Sequence, residues 1–413
     1  MNFLFAWRYF KAKKTTNAIN IIAWISIMAI VIGTAALILV LSVFNGFEGL
    51  VKSLYSSFYP DLKISPATGK MLTLTPEQLQ KIRGVGGIRA LSRIVEERAL
   101  LQNRAFEADS ADYQSIIYLK GVDEEYTKVA QVASHIVEGQ FNTGNVDSPL
   151  LVLGAGIQNA VSVSTESNIR PLALYMPRKG SVDLQNPLNS LSGESVQTSG
   201  TFVIQQDFDN RYALTNMEFV KRMMAMDADQ YSSVELSASP ESVEDAQAAI
   251  QALLGKNYRV ETRYQQNASL YSVMKVEKWI IYAILSLILV VAAFNMVGAL
   301  TMLVLEKKAD IRILHSLGGS RSFIQRIFLS EGLLLAGIGG GMGMLIAGII
   351  GWLQTEYHLI SLQGSTFMIE YFPVKMVPGD FLLVGATVFV IALIASWIPA
   401  RKAAMQRQVV REE

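Results

Sequence analysis

Metal and acid–base chemistry need donor side chains in register, and this sequence supplies few. Its three histidines, His135, His315 and His358, are far apart, and no HExxH or comparable ligand spacing surrounds any of them. They read as ordinary surface or interface residues, and no metal site is expected. Cysteine is absent, which excludes disulfides, thiolate metal centres and cysteine nucleophiles. No G-x-x-x-x-G-K-[ST] phosphate loop occurs, so no cofactor is expected in this chain and any ATP would be handled by another polypeptide. Nothing in the spacing suggests paired catalytic carboxylates or a Ser/His/Asp set, and the chain reads as non-catalytic. Glu331, the acidic residue nearest an apolar run, follows Arg326 by five positions and is expected in an interfacial ion pair.

The elements that hold these residues are set by hydropathy. The 413 residues are 51% apolar and 17% charged, with a mean hydropathy of +0.31, too oily for an ordinary soluble protein. A net charge of +1 suggests no nucleic-acid partner. A bilayer core of about 30 Å needs about 20 apolar helical residues. Charge-free runs long enough occur at 15–47, 279–305, 332–355 and 381–400. The first is preceded by Arg8, Lys11, Lys13 and Lys14, but it exceeds the h-region of a signal peptide and reads as an uncleaved anchor.

Basic residues then set the orientation. Besides those four, Lys307, Lys308, Arg312, Arg321 and Arg326 lie between spans two and three, and Arg401, Lys402, Arg407 and Arg411 follow span four. The loop between spans three and four has only Lys375. By the positive-inside rule both termini and the 306–326 loop are cytoplasmic, and the long segment after span one lies outside. The expected division is a cytoplasmic interfacial helix (1–18), spans at 19–44, 279–305, 327–352 and 381–400, an external domain (45–278), a cytoplasmic loop (306–326), an external loop (353–380) and a cytoplasmic tail (401–413).

The external domain repeats one plan. Asp61–Ser65 reads as a strand, Thr75-Pro76-Glu77-Gln78 opens a helix ending near Gly84, and Ile94–Leu101 is a strand. Ser233–Ser237 is again a strand, Ser239-Pro240 opens a helix to Leu254, and Tyr258–Arg263 is a strand. These are two βαβ halves of one α+β lobe. Strands at 115–120, 150–153, 171–176 and 201–206 suggest a second lobe, with 177–200 as a long exposed loop, either a variable surface or a binding loop. The fold class is a four-helix membrane protein with a large two-lobed α+β domain.

Two further patterns concern packing. Ile311, Leu314 and Leu317 recur at about one helical turn beside basic residues, a face that either docks into a groove on another protein or rests on the membrane. Gly339, Gly343, Ala347 and Gly351 recur every four residues and let another helix approach, either span four of the same chain or another subunit.

An ordered series of motifs resembles the lipoprotein-releasing LolC/LolE permeases of the FtsX/MacB-like class of ABC transporters. It comprises Ala6-Trp7-Arg8-Tyr9, Asn45-Gly46-Phe47-Glu48, Lys120-Gly121-Val122-Asp123, Leu153-Gly154-Ala155-Gly156-Ile157, Ala293-Phe294-Asn295-Met296-Val297, the 306–318 loop, Ile327-Phe328-Leu329-Ser330-Glu331-Gly332 and Pro399-Ala400-Arg401-Lys402-Ala403. The resemblance implies a cell inner-membrane complex of two permease subunits, identical or homologous, with two copies of a soluble ATPase that carries ATP and Mg. Such a complex moves lipoproteins from the membrane to a periplasmic carrier, and the external domain is then periplasmic. It also implies that the 306–318 loop couples to the ATPase, with Ile311, Arg312, Leu314, His315, Leu317 and Gly318 as the contact residues. Acyl chains are expected against Val40, Val43, Phe44 and Phe47 of span one and Met274, Ile281 and Leu285 of span two, the alternative being that these side chains face bulk lipid or pack within the subunit. Phe367, Tyr371 and Phe372 would close that site. The competing readings are FtsX-like mechanotransmission to a cell-wall hydrolase and MacB-like efflux.

Overall fold

The computed structural model describes residues 17–103, 113–164, 172–177, 191–361 and 371–405, without the side chains of 17–20. The expected interfacial helix before residue 17 therefore lies outside the described residues.

The first helix, α1 (Asn17–Phe58), carries the uncharged run and continues through Glu48 and Lys52. Charge ends a bilayer-compatible run but not a helix, so α1 overruns the expected end at residue 44 and stops short of Pro60. There follow β1 (Leu62–Pro66), α2 (Pro76–Arg83), β2 (Ile88–Gln102), β3 (Gln114–Val122), β4 (Ile136–Gly139), β5 (Leu150–Gly154) and β6 (Leu172–Pro177). Then come β7 (Leu191–Phe202), β8 (Tyr212–Asn216), α3 (Met217–Met224), β9 (Ser233–Ala238), α4 (Val243–Leu254) and β10 (Tyr258–Thr262). Four helices complete the chain: α5 (Ala268–Glu306), α6 (Lys308–Ser316), α7 (Arg321–Tyr357) and α8 (Pro378–Ala404). By length and composition α1, α5, α7 and α8 can each cross a membrane. The chain forms two compact units, residues 51–271 and the remainder on either side.

In the 51–271 unit, local chemistry sets the elements. Thr75 accepts from the Gln78 amide and Gln78 returns the bond, a complete capping box with Pro76 in the first turn of α2. Gly255 ends α4 at a φ of +75°, where a side chain would be strained. The sheet order is β10-β1-β9-β2-β3-β8-β5-β7-β4, with β6 bridging β2 and β7. Strands β1 and β2 both run antiparallel to β9 between them, and β9 and β10 both run antiparallel to β1. The two expected βαβ halves are thus interleaved, each inserting a strand into the other.

Beyond β2 the pairing closes on itself through β3, β8, β5, β7 and β6 back to β2. The expectation of two lobes is not reproduced as a break in the sheet. Strand β2 belongs to both parts, pairing β9 through Ile88–Ile94 and β6 through Leu100–Gln102.

The 177–200 loop is corrected in part. Residues 191–200 belong to β7 and pair with β6 from Leu172↔Val196 to Pro177↔Leu191, while 178–190 lie outside the described residues. Small polar side chains, Ser192 and Thr198, fill buried positions of β7, so its alternation is invisible to a search for large apolar residues. The expected 201–206 strand instead ends at Phe202, having begun ten residues earlier.

Candidate functional site

Helices α1, α5 and α8 bring three polar side chains together at one end of the helical unit. Asn45 Nδ2 donates to Asp380 Oδ2 at 2.5 Å, and Lys278 Nζ donates to Asn45 Oδ1 at 2.7 Å. Lys278 Nζ also lies 3.5 Å from Asp380 Oδ1. Asp380, in the first turn of α8, is buried at 6% exposure, where the helix N-terminus favours a carboxylate. The neighbouring motif residues have equally specific contacts. A Cβ on Gly46 would fall 2.1 Å from the Pro373 carbonyl oxygen. The Lys375 amide donates to the Ser42 carbonyl at 2.9 Å. Phe47 meets Phe372 edge to face at 5.9 Å. Asn45-Gly46-Phe47 is therefore a docking face for residues 372–380; sequence reasoning placed Phe372 with Phe47 but missed Lys278, Pro373 and Asp380, which lie more than 200 residues from Asn45 and Gly46.

Of the residues expected to hold acyl chains, Val40 is exposed and Val43, Phe44, Phe47, Met274, Ile281, Leu285 and Phe372 are half-buried. Phe47 and Phe372 are brought together. Leu285 packs on the helical core beside Tyr282, while Tyr371 turns to His358, ring centroids 3.8 Å apart. Phe367 lies outside the described residues.

The small-residue face of α7 receives α1, not α8, in its first two positions. A Cβ on Gly339 would come within 3.0 Å of Ile30, and a Cβ on Gly343 within 2.7 Å of Thr34 Cβ and the Val31 carbonyl oxygen. Ala347 is buried, and Gly351 faces Met376 Sδ at 2.7 Å. The span-four neighbour was the expected one within the chain; α8 instead meets another face of α7, where Gly332 abuts Ser396 and Gly340 abuts Val388. Two glycines eight residues apart carry that contact, outside the four-residue repeat that drew attention.

At the opposite end, α6 is capped by Leu317 and Gly318, the latter at a φ of +88°. Ser320 accepts from the Phe323 amide and starts α7, the N-cap role to which serine is suited. Ile311, expected to reach a partner, is instead 1% exposed in a cluster with Leu303, Val304, Ile324, Phe328 and Ala403. Its place on the open face is taken by Ile313, 58% exposed, with Leu317 at 79% one turn on. Arg312 is exposed, and Leu314 and His315 are half-buried. Glu331 is likewise interior, 1% exposed.

The 51–271 unit explains the remaining motifs. Lys120 Nζ lies 2.8 Å from Glu235 Oε1 and 4.8 Å from the ring centroids of Phe58 and Tyr126. Gly121 leaves room for Val220, and Asp123 accepts from the Ser92 hydroxyl and the Arg93 guanidinium. Gly154 and Gly156 admit the 209–210 turn, where a Cβ would meet Asp209 and Asn210. Burial raises the Tyr126 and Tyr212 phenols above their ordinary range. It also pushes the Asp209 carboxyl up to about 6, against the lowering effect of bonds from the Ile204 and Gln205 amides. Among the described residues, no group of three His, Asp or Glu side chains could hold a metal ion.

Four apolar helices around a bundle, joined to an α+β unit inserted between the first two, define a membrane permease subunit. The family model of the MacB-like periplasmic core domain matches residues 23–253, and that of the FtsX-like permease C-terminal region matches residues 282–406. The chain belongs to this MacB- and FtsX-like permease family. It is 28% identical to the lipoprotein-releasing system transmembrane protein LolC of Neisseria meningitidis serogroup B, covering 96% of this chain and 95% of that protein. It is 25% identical to the lipoprotein-releasing system transmembrane protein LolE of Haemophilus influenzae, covering 97% and 96%. The extracellular domain of the noncanonic ABC-type transporter YknZ from Gram-positive bacteria aligns at 12% identity over 49% of this chain and 99% of that chain. Its TM-score of 0.34 is too low to carry a fold argument.

Proposed function

We propose that this chain is the permease subunit of an ABC transporter that releases lipoproteins from the inner membrane to a periplasmic carrier. The observation that supports it most is similarity along nearly the whole chain to LolC and LolE proteins, across both the inserted domain and the helices. In this reading α1, α5, α7 and α8 span the membrane with both termini cytoplasmic and residues 51–271 periplasmic. The asymmetry of basic residues supports that orientation. Two copies of a soluble ATPase supply ATP and Mg and engage α6 through Arg312, Ile313 and Leu317. A second permease subunit, identical or homologous, completes the complex. Acyl chains lie against Val40, Val43, Phe44 and Phe47 of α1 and Met274, Ile281 and Leu285 of α5, next to Phe372.

The test is to purify the chain with its ATPase, reconstitute the complex into vesicles bearing a diacylated or triacylated lipoprotein, and add ATP with a soluble acyl-binding carrier. ATP-dependent appearance of lipoprotein on the carrier is the expected result. Hydrolysis that moves no lipoprotein but activates a bound cell-wall hydrolase, or extrudes a soluble compound, overturns it.

A further inference from the structure

Helix α5 buries side chains fully in only one of its halves. From Leu289 onward it buries Leu289, Ala293, Met296, Leu300 and Leu303, whereas no residue from Ser272 to Ile288 is buried. Leu289 itself is seated against α1, where a Cβ on Gly33 would come within 2.8 Å of its Cδ2. Before that point α5 rests on the core only through half-buried Tyr282 and Leu285 and is tied by polar side chains: the Tyr282 hydroxyl meets the Thr387 hydroxyl, and Lys278 meets Asn45 and Asp380. Fully buried, interdigitated apolar packing resists displacement, while a part-buried polar contact made by a long side chain exchanges for water or lipid headgroups at smaller net cost.

The two sides of this contact differ in rigidity. Asp380 is buried, lies at the N-terminus of α8, and accepts from the Asn45 amide as well as facing the Lys278 cation. Lys278 is a long flexible side chain, 31% exposed. The socket therefore survives the departure of its ligand, which is what a contact with two discrete states requires. We propose that Asn45, Lys278 and Asp380 form a reversible clasp that positions the outer half of α5, and that this half pivots at Leu289 away from α8 when the transporter changes nucleotide state. The inference rests on the transporter reading above. It adds a set of positioning residues that control access to the apolar residues of α1 and α5.

The experiment uses the full permease–ATPase complex carrying Glu277→Cys and Gly379→Cys. These positions adjoin the clasp in sequence and leave it intact, and the native chain has no cysteine. The added Cβ at 379 meets nothing closer than Val377 at 3.9 Å. A reducible bis-methanethiosulfonate reagent joins the two thiols with and without a non-hydrolysable ATP analogue. Crosslinking yield should differ by about threefold between the two states, and the crosslinked complex should lose ATP-driven lipoprotein release until reductant restores it. Lys278→Met should abolish the nucleotide dependence of the yield, and the exchange Lys278→Asp/Asp380→Lys should return it. Equal yield in both states, or full release from the crosslinked complex, overturns the clasp. A nucleotide-dependent yield in a complex that moves no lipoprotein supports the clasp and overturns only the cargo.

Discussion

Lys120 on β3 and Glu235 on β9 face each other across β2, with 2.8 Å between Nζ and Oε1 and each side chain only 2% exposed. A pair so buried is weak evidence for net stability, yet removing one partner leaves an uncompensated charge. Lys120→Met should destabilise the 51–271 unit by about 3–5 kcal/mol, and Lys120→Met/Glu235→Leu should recover most of that loss. Thermal unfolding of the detergent-solubilised chain measures both. A double variant as unstable as the single would mean that lost packing against Phe58 and Tyr126, not charge, dominates.

Asp209 gives the same unit a pH signature. Its native carboxyl is held at about 6, against 3.8 for the free group. Between these values the folded state binds more protons than the unfolded state, so stability falls as pH rises from about 4 to about 6 and is level above. Asp209→Asn keeps an acceptor for the Ile204 amide but has no proton to lose. Unfolding temperatures across this window, in a His135→Gln background that removes the neighbouring charge, should slope for the parent and flatten for the variant. At pH 7 the variant should be more stable by on the order of 2 kcal/mol. Parallel slopes would assign the titration to other groups.

How much of this was legible in the sequence depended on how local the cause was. The helix start at Thr75 and the stop after Leu254 were readable because capping and positive φ are decided within four residues. The four long helices were readable from charge-free runs, though not their ends, because α1 continues beyond its charge-free run and α5 begins before its own. The shared strand β2 and the closing of the sheet through β6 rest on pairings set by the whole fold, so the ten-stranded sheet that runs through both expected lobes was not legible. Ile311 illustrates the limit for the site. Period alone placed it on the same stripe as Leu314 and Leu317, but which side of α6 turns inward is decided by Phe328 and Ala403, far along the chain.

Glycines of α7 separate close packing from mere helical freedom. Gly343 lies against Thr34, whereas a Cβ on Gly348 meets nothing within 4 Å. Gly343→Leu should therefore force α1 and α7 apart and reduce the yield of assembled complex severalfold, at about 1–3 kcal/mol or more of overpacking. Gly348→Leu should assemble normally, and since leucine has the higher helix propensity it should not loosen α7. Size-exclusion profiles with the ATPase read the difference. Equal behaviour of the two variants would remove the α1–α7 contact as the reason for the small-residue repeat.

The division of labour on α6 yields the sharpest contrast. Ile313 and Leu317 are exposed one turn apart beside Arg312, while Ile311 anchors the helix to α5, α7 and α8 through Leu303, Phe328 and Ala403. If the exposed pair is what the ATPase grips, Leu317→Asp places a charge in that contact at a cost of about 2–4 kcal/mol when truly buried there, a loss of about 30-fold or more in affinity. The permease itself should keep its unfolding temperature, because Leu317 touches little of its own chain. Ile311→Asp should behave oppositely, lowering the unfolding temperature because it buries a carboxylate among aliphatic side chains. Arg312→Ala should weaken ATPase binding without altering stability, since its exposed guanidinium adds rim electrostatics only. Co-purification of ATPase and permease-stimulated hydrolysis, set beside thermal unfolding of each permease, decide the matter. Leu317→Asp with undiminished ATPase binding would show that this face of α6 lies on the membrane, and energy would have to enter the bundle elsewhere.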